Sequence, residues 1–126
     1  MARKKSSTLT EGELRLMNVL WARGASTVNE VLDALPDEPR LAYSTVLTTL
    51  RILEDKGYLK HEKDGRAFLY APLVPREHEQ RRVTRFLMSR FFENSAEQLM
   101  LNILKHEKLD AGELRRLRRM IQEAEK

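Results

Sequence analysis

At 126 residues, with 23 Lys+Arg against 19 Asp+Glu and a net charge of +4, the chain has room for one ordinary domain, or for a domain of about 75 residues with an appendage too small to fold well alone. It contains no cysteine, which excludes disulfides, thiolate metal sites and cysteine nucleophiles together. The pI of about 9.6 permits a nucleic-acid partner without demanding one, and the basic excess is uneven: residues 1–74 carry 11 Lys+Arg against 10 Asp+Glu, a net of +1, while residues 75–126 carry 12 against 9, a net of +3.

The basic start at Arg3, Lys4 and Lys5 leads into an amphipathic segment, not the apolar stretch of a signal peptide. No apolar run of about 18 residues follows, so a cytoplasmic location without membrane insertion is expected. Thr10 with Glu13 spells a capping box, and Leu14, Met17, Leu20 and Trp21 recur at helical spacing, predicting a first helix over about 11–22 that exits at Gly24. Thr27 with Glu30 repeats the signal ahead of Val28, Val31, Leu32 and Leu35, predicting a short second helix. Pro36 and Pro39 bracket a polar turn. A third helix is predicted from Tyr43 to Lys56, where Lys56 suits the carbonyl end of the dipole and Gly57 the left-handed residue beyond it. From Tyr58 to Ala71 the period changes to that of strands, and Asp64-Gly65 between the two runs predicts a hairpin with a type I′ turn. Three helices and then a hairpin is the order of a winged helix.

Pro72 and Pro75 close that unit, and long helical patterns follow. A fourth helix is predicted over about 76–92, with Val83, Phe86, Leu87, Phe91 and Phe92 apolar. Ser95 with Gln98 opens a fifth carrying Leu99, Met100, Ile103 and Leu104, and Asp110 with Glu113 opens a sixth carrying Leu114, Leu117, Ile121 and Ala124. The expected fold is therefore mainly α with a small β-hairpin wing: a winged-helix DNA-binding domain over 1–74 and a helical arm of three helices over 75–126. Some 50 residues in three amphipathic helices cannot bury Phe86, Leu87, Phe91, Leu99, Ile103, Leu104, Leu117 and Ile121 alone, so these are the expected homodimer interface.

Within the third helix, Val46, Leu47, Leu50 and Leu53 form the stripe that would pack on the first two helices. The other face offers Tyr43, Ser44, Thr45, Thr48, Thr49 and Arg51: hydroxyls that can meet phosphate or base edges, methyls that can meet thymine, and a guanidinium for guanine or phosphate. Threonines merely tolerated at a surface would look similar. Lys60, Lys63 and Arg66 on the hairpin would lie beside the duplex backbone, although a charged edge strand resisting aggregation carries the same residues. His61, His78 and His106 have no partner at ligand spacing and are expected on the solvated surface. No metal or other cofactor is expected, and the absence of a G-x-S-x-G, a Gly-rich phosphate loop or an H-E-x-x-H argues against an enzyme.

The segments LTEGELRLMNVLW, YSTVLTTLRILEDKGYL, GRAFLYAPL and LMLNILKHEKLDAGELRRLRRMI together resemble the penicillinase-repressor family, the BlaI and MecI group, from about Leu9 to Glu123. Ser44-Thr45-Val46, Thr48, Leu53 and Lys56-Gly57 are similar to its recognition helix. The resemblance implies a homodimeric repressor on a palindromic operator, with Thr45 and Thr48 among the base-reading positions. It also implies release by proteolysis at Asn102-Ile103 once a membrane sensor protease, or a protease it activates, responds to a β-lactam. Asn102 as an ordinary polar helix residue is the plainer reading. One departure stands out: Ile52 occupies a position where members often carry a basic residue, with Arg51 one step earlier. The cysteine cluster of related copper-responsive repressors is absent. The alternative is a winged-helix module whose third helix binds a protein and which has no operator of its own, in keeping with the low net charge of residues 1–74.

Overall fold

A computed structural model describes residues 9–38 and 40–126, so the basic start of the chain and Pro39 lie outside the described residues. The elements run α1 (Glu11–Arg23), α2 (Val28–Ala34), α3 (Tyr43–Asp55), β1 (Leu59–Asp64), β2 (Ala67–Pro72), α4 (Arg76–Phe91), α5 (Ala96–His106) and α6 (Ala111–Ala124). They divide into two compact units, one running to Thr84 and one covering Arg85–Lys126, with α4 continuous across the division. Three helices followed by an antiparallel hairpin make the first unit a winged helix, and the chain as a whole is mainly α.

Local chemistry explains most helix starts. The Thr10 hydroxyl accepts the Glu13 amide at 3.1 Å while the Glu13 carboxylate accepts the Thr10 amide at 2.9 Å. Thr27 with Glu30 and Asp110 with Glu113 do the same for α2 and α6, each box satisfying two amides that a helix N-terminus leaves unpaired. Ser95 caps α5 in one direction only, accepting from the Gln98 amide at 3.0 Å.

The core of the first unit joins Leu16, Met17 and Leu20 of α1, Val28 and Val31 of α2, and Val46, Leu50 and Leu53 of α3 to Leu59 and Tyr70 of the hairpin. The α3 stripe packs as its spacing predicts. In α1 the face differs: Leu14 is 41% exposed and Leu16 is buried, because α3 and the hairpin cover the side of α1 that carries Glu13, Leu16, Met17 and Leu20. The hairpin also corrects the expected turn. Asp64 pairs with Ala67, so the loop is Gly65-Arg66, one residue later than read. Only Gly65 has a positive φ, +62°, the type II′ pattern with glycine at the first central position, where a Cβ would be strained. Ser26 adds a short antiparallel bridge to Tyr70, with both backbone bonds formed at 3.0 and 2.9 Å.

The second unit is built differently. Neither α5 nor α6 buries a single residue. α4 ends and the chain passes to α5 through Glu93 (φ +51°) and Asn94 (φ +60°), both left-handed, with the Asn94 amide donating to the Met88 carbonyl at 2.9 Å.

Candidate nucleic-acid interface

Burial of Val46, Leu50 and Leu53 fixes the rotation of α3 and turns Tyr43, Ser44, Thr45, Thr48 and Arg51 outward, all of them exposed. Thr49 differs from its neighbours: it is half-buried, and its hydroxyl donates to the Thr45 carbonyl at 2.8 Å, so only its methyl and lone pairs are on offer. Ile52 is half-buried on the flank. Two features of this helix escaped the sequence reading. Its N-cap is Ala42, with no side-chain cap, so the first-turn amides have no side-chain acceptor and suit an anion such as phosphate. At the other end Asp55 is exposed on the Thr48 and Arg51 face, where its carboxylate disfavours phosphate and confines the DNA-compatible stretch to the first three turns. The 44, 48, 51, 55 spacing carried that second signal.

The hairpin register divides the wing residues between two faces. Lys60 and Glu62 share one face and pair at 3.6 Å, which partly neutralises Lys60. Lys63 lies on the other, with His61 and opposite Phe68, on the side that meets α3; Arg66 is in the turn. His61 is exposed, yet it is not idle. Its Nδ1 lies 2.6 Å from Glu54 Oε2, and its ring meets Phe68 edge-on at 5.0 Å, tying the hairpin to the last turns of α3. Tyr70 lies behind this contact, its phenol pushed up by burial and by the Glu54 charge, with Arg51 pulling the other way.

Two polar clusters support the unit behind the interface. Lys56 Nζ donates to both Glu13 oxygens at 2.9 and 2.8 Å, with Glu13 6% exposed. Burial alone would raise the Glu13 carboxyl, but the bonds from Lys56 and the Thr10 amide outweigh it and hold it below its ordinary range. Lys56 thus serves an ion pair besides the dipole that its position predicts. In the second cluster the Tyr58 hydroxyl donates to Glu79 Oε2 at 2.9 Å, and Arg82 donates to Glu79 through Nε at 3.0 Å and Nη2 at 2.8 Å, and to the Tyr58 oxygen at 3.0 Å. Burial opposes ionisation of Glu79 too, and is overcome by the bonds from Arg82 and Tyr58. Lys56 with Glu13, and Tyr58 with Glu79 and Arg82, were not read from the sequence, since the tertiary fold makes those residues neighbours; Glu79 with Arg82, three residues apart on α4, is a local pair that the spacing could have shown.

In the second unit, Leu87, Phe91, Ile103, Leu104, Leu117 and Ile121 are exposed and Phe86 and Leu99 half-buried. Met100, Leu101, Leu114 and Met120 join them on the surface, and a helical wheel would have shown it. Asn102 and Ile103 lie within α5, both exposed. Among the described residues no helix is long and apolar enough to cross a membrane, and no group of His, Asp and Glu is arranged to hold a metal ion.

A three-helix core, an outward hydroxyl-rich helix and a basic hairpin define a winged-helix DNA-binding protein. The chain belongs to the penicillinase repressor family, whose sequence model matches residues 9–123. It is 28% identical to the penicillinase repressor of Bacillus licheniformis over 120 residues, 95% of this chain and 94% of that one. It is 21% identical to the methicillin resistance regulatory protein MecI of Staphylococcus aureus strain N315 over 117 residues, 93% and 95% of the two chains. Among solved structures it is similar to the DNA-binding domain of the repressor BlaI, at 33% identity and a TM-score of 0.52, covering 60% of this chain and 93% of that one. The protein is a DNA-binding transcriptional repressor and not an enzyme, which sets aside the module without an operator.

Proposed function

We propose that this repressor binds a palindromic operator as a homodimer in the cytoplasm, residues 1–74 contacting DNA and residues 75–126 holding the dimer. The observation that carries the reading is the division of α3 into a buried aliphatic side and an exposed side of Ser44, Thr45, Thr48 and Arg51. These residues read base edges in the major groove, Tyr43 and the uncapped α3 amides meet the phosphates beside them, and Lys63 and Arg66 hold the neighbouring backbone. Lys60, paired with Glu62, contributes less, and Thr49 contributes its methyl. Two-fold symmetry would place the two reading helices about one turn of DNA apart or a multiple of it.

The dimer forms through Phe86, Leu87, Phe91, Leu99, Ile103, Leu104, Leu117 and Ile121; the exposure of six of them in the single chain, with Phe86 and Leu99 half-buried beside them, is what a self-associating face requires. Repression ends when a protease, itself a membrane sensor or activated by one, cuts Asn102-Ile103. The cut detaches α6 and the end of α5 from the dimer face, and operator affinity falls by about 10²–10⁴ as the second half-site loses its high effective concentration. A helical bond must first unfold locally to be cut, and α5, with no buried residue in the single chain, has little packing to oppose that. Because its relatives are a penicillinase repressor and a methicillin resistance regulator, the regulated genes are of the β-lactam-resistance type.

Titration against operator and random duplex at several salt concentrations tests the reading, with a chain truncated after Asn102 alongside. The full chain should prefer operator by at least about 10³, and the truncated chain should lose dimer and operator together. Equal affinity for both duplexes, or a truncated chain that still dimerises and holds operator as the full chain does, overturns it.

A further inference from the structure

The Tyr58–Glu79–Arg82 cluster takes no part in the DNA contacts proposed above, yet four hydrogen bonds of 2.8–3.0 Å close it around a buried carboxylate. Its place in the fold is telling. Tyr58 lies between α3 and β1, just beyond Lys56 and Gly57 at the foot of the reading helix, while Glu79 and Arg82 lie one turn apart near the start of α4, the helix that continues past Thr84 into the second unit. The same stretch is held a second time: Trp21 Nε1 donates to the Val74 carbonyl at 2.8 Å just before α4, and the Arg76 guanidinium lies over the Trp21 ring at 5.5 Å.

Apolar side chains would hold a helix against a core as firmly, and without the desolvation cost that a carboxylate 5% exposed has to meet. What the polar cluster adds is direction. An arginine fork on a carboxylate, closed by a phenol, accepts one mutual orientation, whereas aliphatic packing tolerates sliding and rotation.

We propose that Tyr58, Glu79 and Arg82 are positioning residues that fix the direction in which α4 leaves the foot of α3, and thereby the half-site separation the dimeric repressor accepts. The proposal rests on the dimer-on-palindrome reading. Through this device the dimer rejects operators whose half-sites have the right bases at the wrong spacing.

The test uses the full chain, Tyr58→Phe and Arg82→Lys. Tyr58→Phe keeps the ring in the core and removes the hydroxyl; Arg82→Lys keeps the charge and removes the fork. Each protein is titrated against a single half-site and against operators lengthened or shortened by one and two base pairs between half-sites, with dimerisation followed by sedimentation. The wild type should prefer one spacing by roughly tenfold or more. Both variants should keep their half-site affinity and dimerisation while that preference shrinks by at least about threefold. A spacing profile unchanged in either folded variant overturns the proposal alone, as does a loss of half-site affinity equal to the loss on the full operator. A wild type that is monomeric and indifferent to spacing overturns the dimer reading, and the proposal with it.

Discussion

Helices α3 and α6 have nearly the same length, 13 and 14 residues, and both carry an apolar stripe, but Leu50 on the first is fully buried whereas Met120 on the second is 66% exposed. The difference is one of partners. In the first unit α1, α2 and the hairpin close over α3 from several sides, so Leu16, Leu20, Val31, Val46 and Leu53 leave water within one chain. In the second unit α5 and α6 present Met100, Leu104, Leu117 and Ile121 with nothing of their own to cover them. A region that completes its core internally can present a rigid reading surface, whereas one that leaves its apolar side open is the part that, on the function proposed above, a second copy covers and a cut would disarm.

The largest expected effect sharpens this contrast by substituting the same residue type in both regions. Leu50→Ala should cost about 2–5 kcal/mol, a large share of the roughly 5–15 kcal/mol available to a domain, and lower the urea midpoint at every protein concentration. Leu104→Ala should leave the unfolding of the first unit in place and weaken dimerisation, seen as a shift of the sedimentation midpoint to higher concentration.

Next in size is the Glu13–Lys56 pair. Glu13→Gln should cost about 3 kcal/mol at neutral pH, the lower end for breaking a buried pair, because Lys56 keeps some water, its side chain being 17% exposed. The sign of its pH dependence follows from the direction of the shift. The folded carboxyl lies below its ordinary value of 4.5, so its stabilisation is full above that value and is lost as pH falls through the folded one. Thermal melts should show the first unit losing stability below about pH 4.5, and Glu13→Gln should flatten that loss.

These pairs also mark where the sequence stops being legible. Capping boxes at Thr10, Thr27 and Asp110 and the α3 stripe are readable because cause and effect lie within four residues. The exposure of Leu14 in place of Leu16 was not readable, since Leu14, Met17 and Leu20 keep helical spacing and only the placement of α3 and the hairpin decides between neighbouring faces. Lys56 with Glu13 and Tyr58 with Glu79 and Arg82 span 43, 21 and 24 positions, beyond any local pattern. The turn missed by one residue shows a finer limit: Asp64-Gly65 and Gly65-Arg66 both place a glycine at positive φ, and strand register chose between them.

Smaller effects are expected on the reading face, which makes few contacts within the protein. Thr48→Ala should weaken specific operator binding by about 1–3 kcal/mol, leaving random-duplex affinity and thermal stability unchanged. Thr49→Val should do far less, since that hydroxyl already donates to the Thr45 carbonyl. Smallest of all, Glu93→Gly should raise the stability of the second unit by less than about 1 kcal/mol, by relieving a left-handed non-glycine residue.

The contrast between the two regions is tested most directly by amide hydrogen exchange of the full chain across a range of protein concentrations without DNA. The account predicts that amides of α1, α2 and α3 keep the same protection throughout, while those of α5 and α6 gain protection as concentration rises through the dimer midpoint. Protection of α5 and α6 that is high and independent of concentration in a monomer would contradict it.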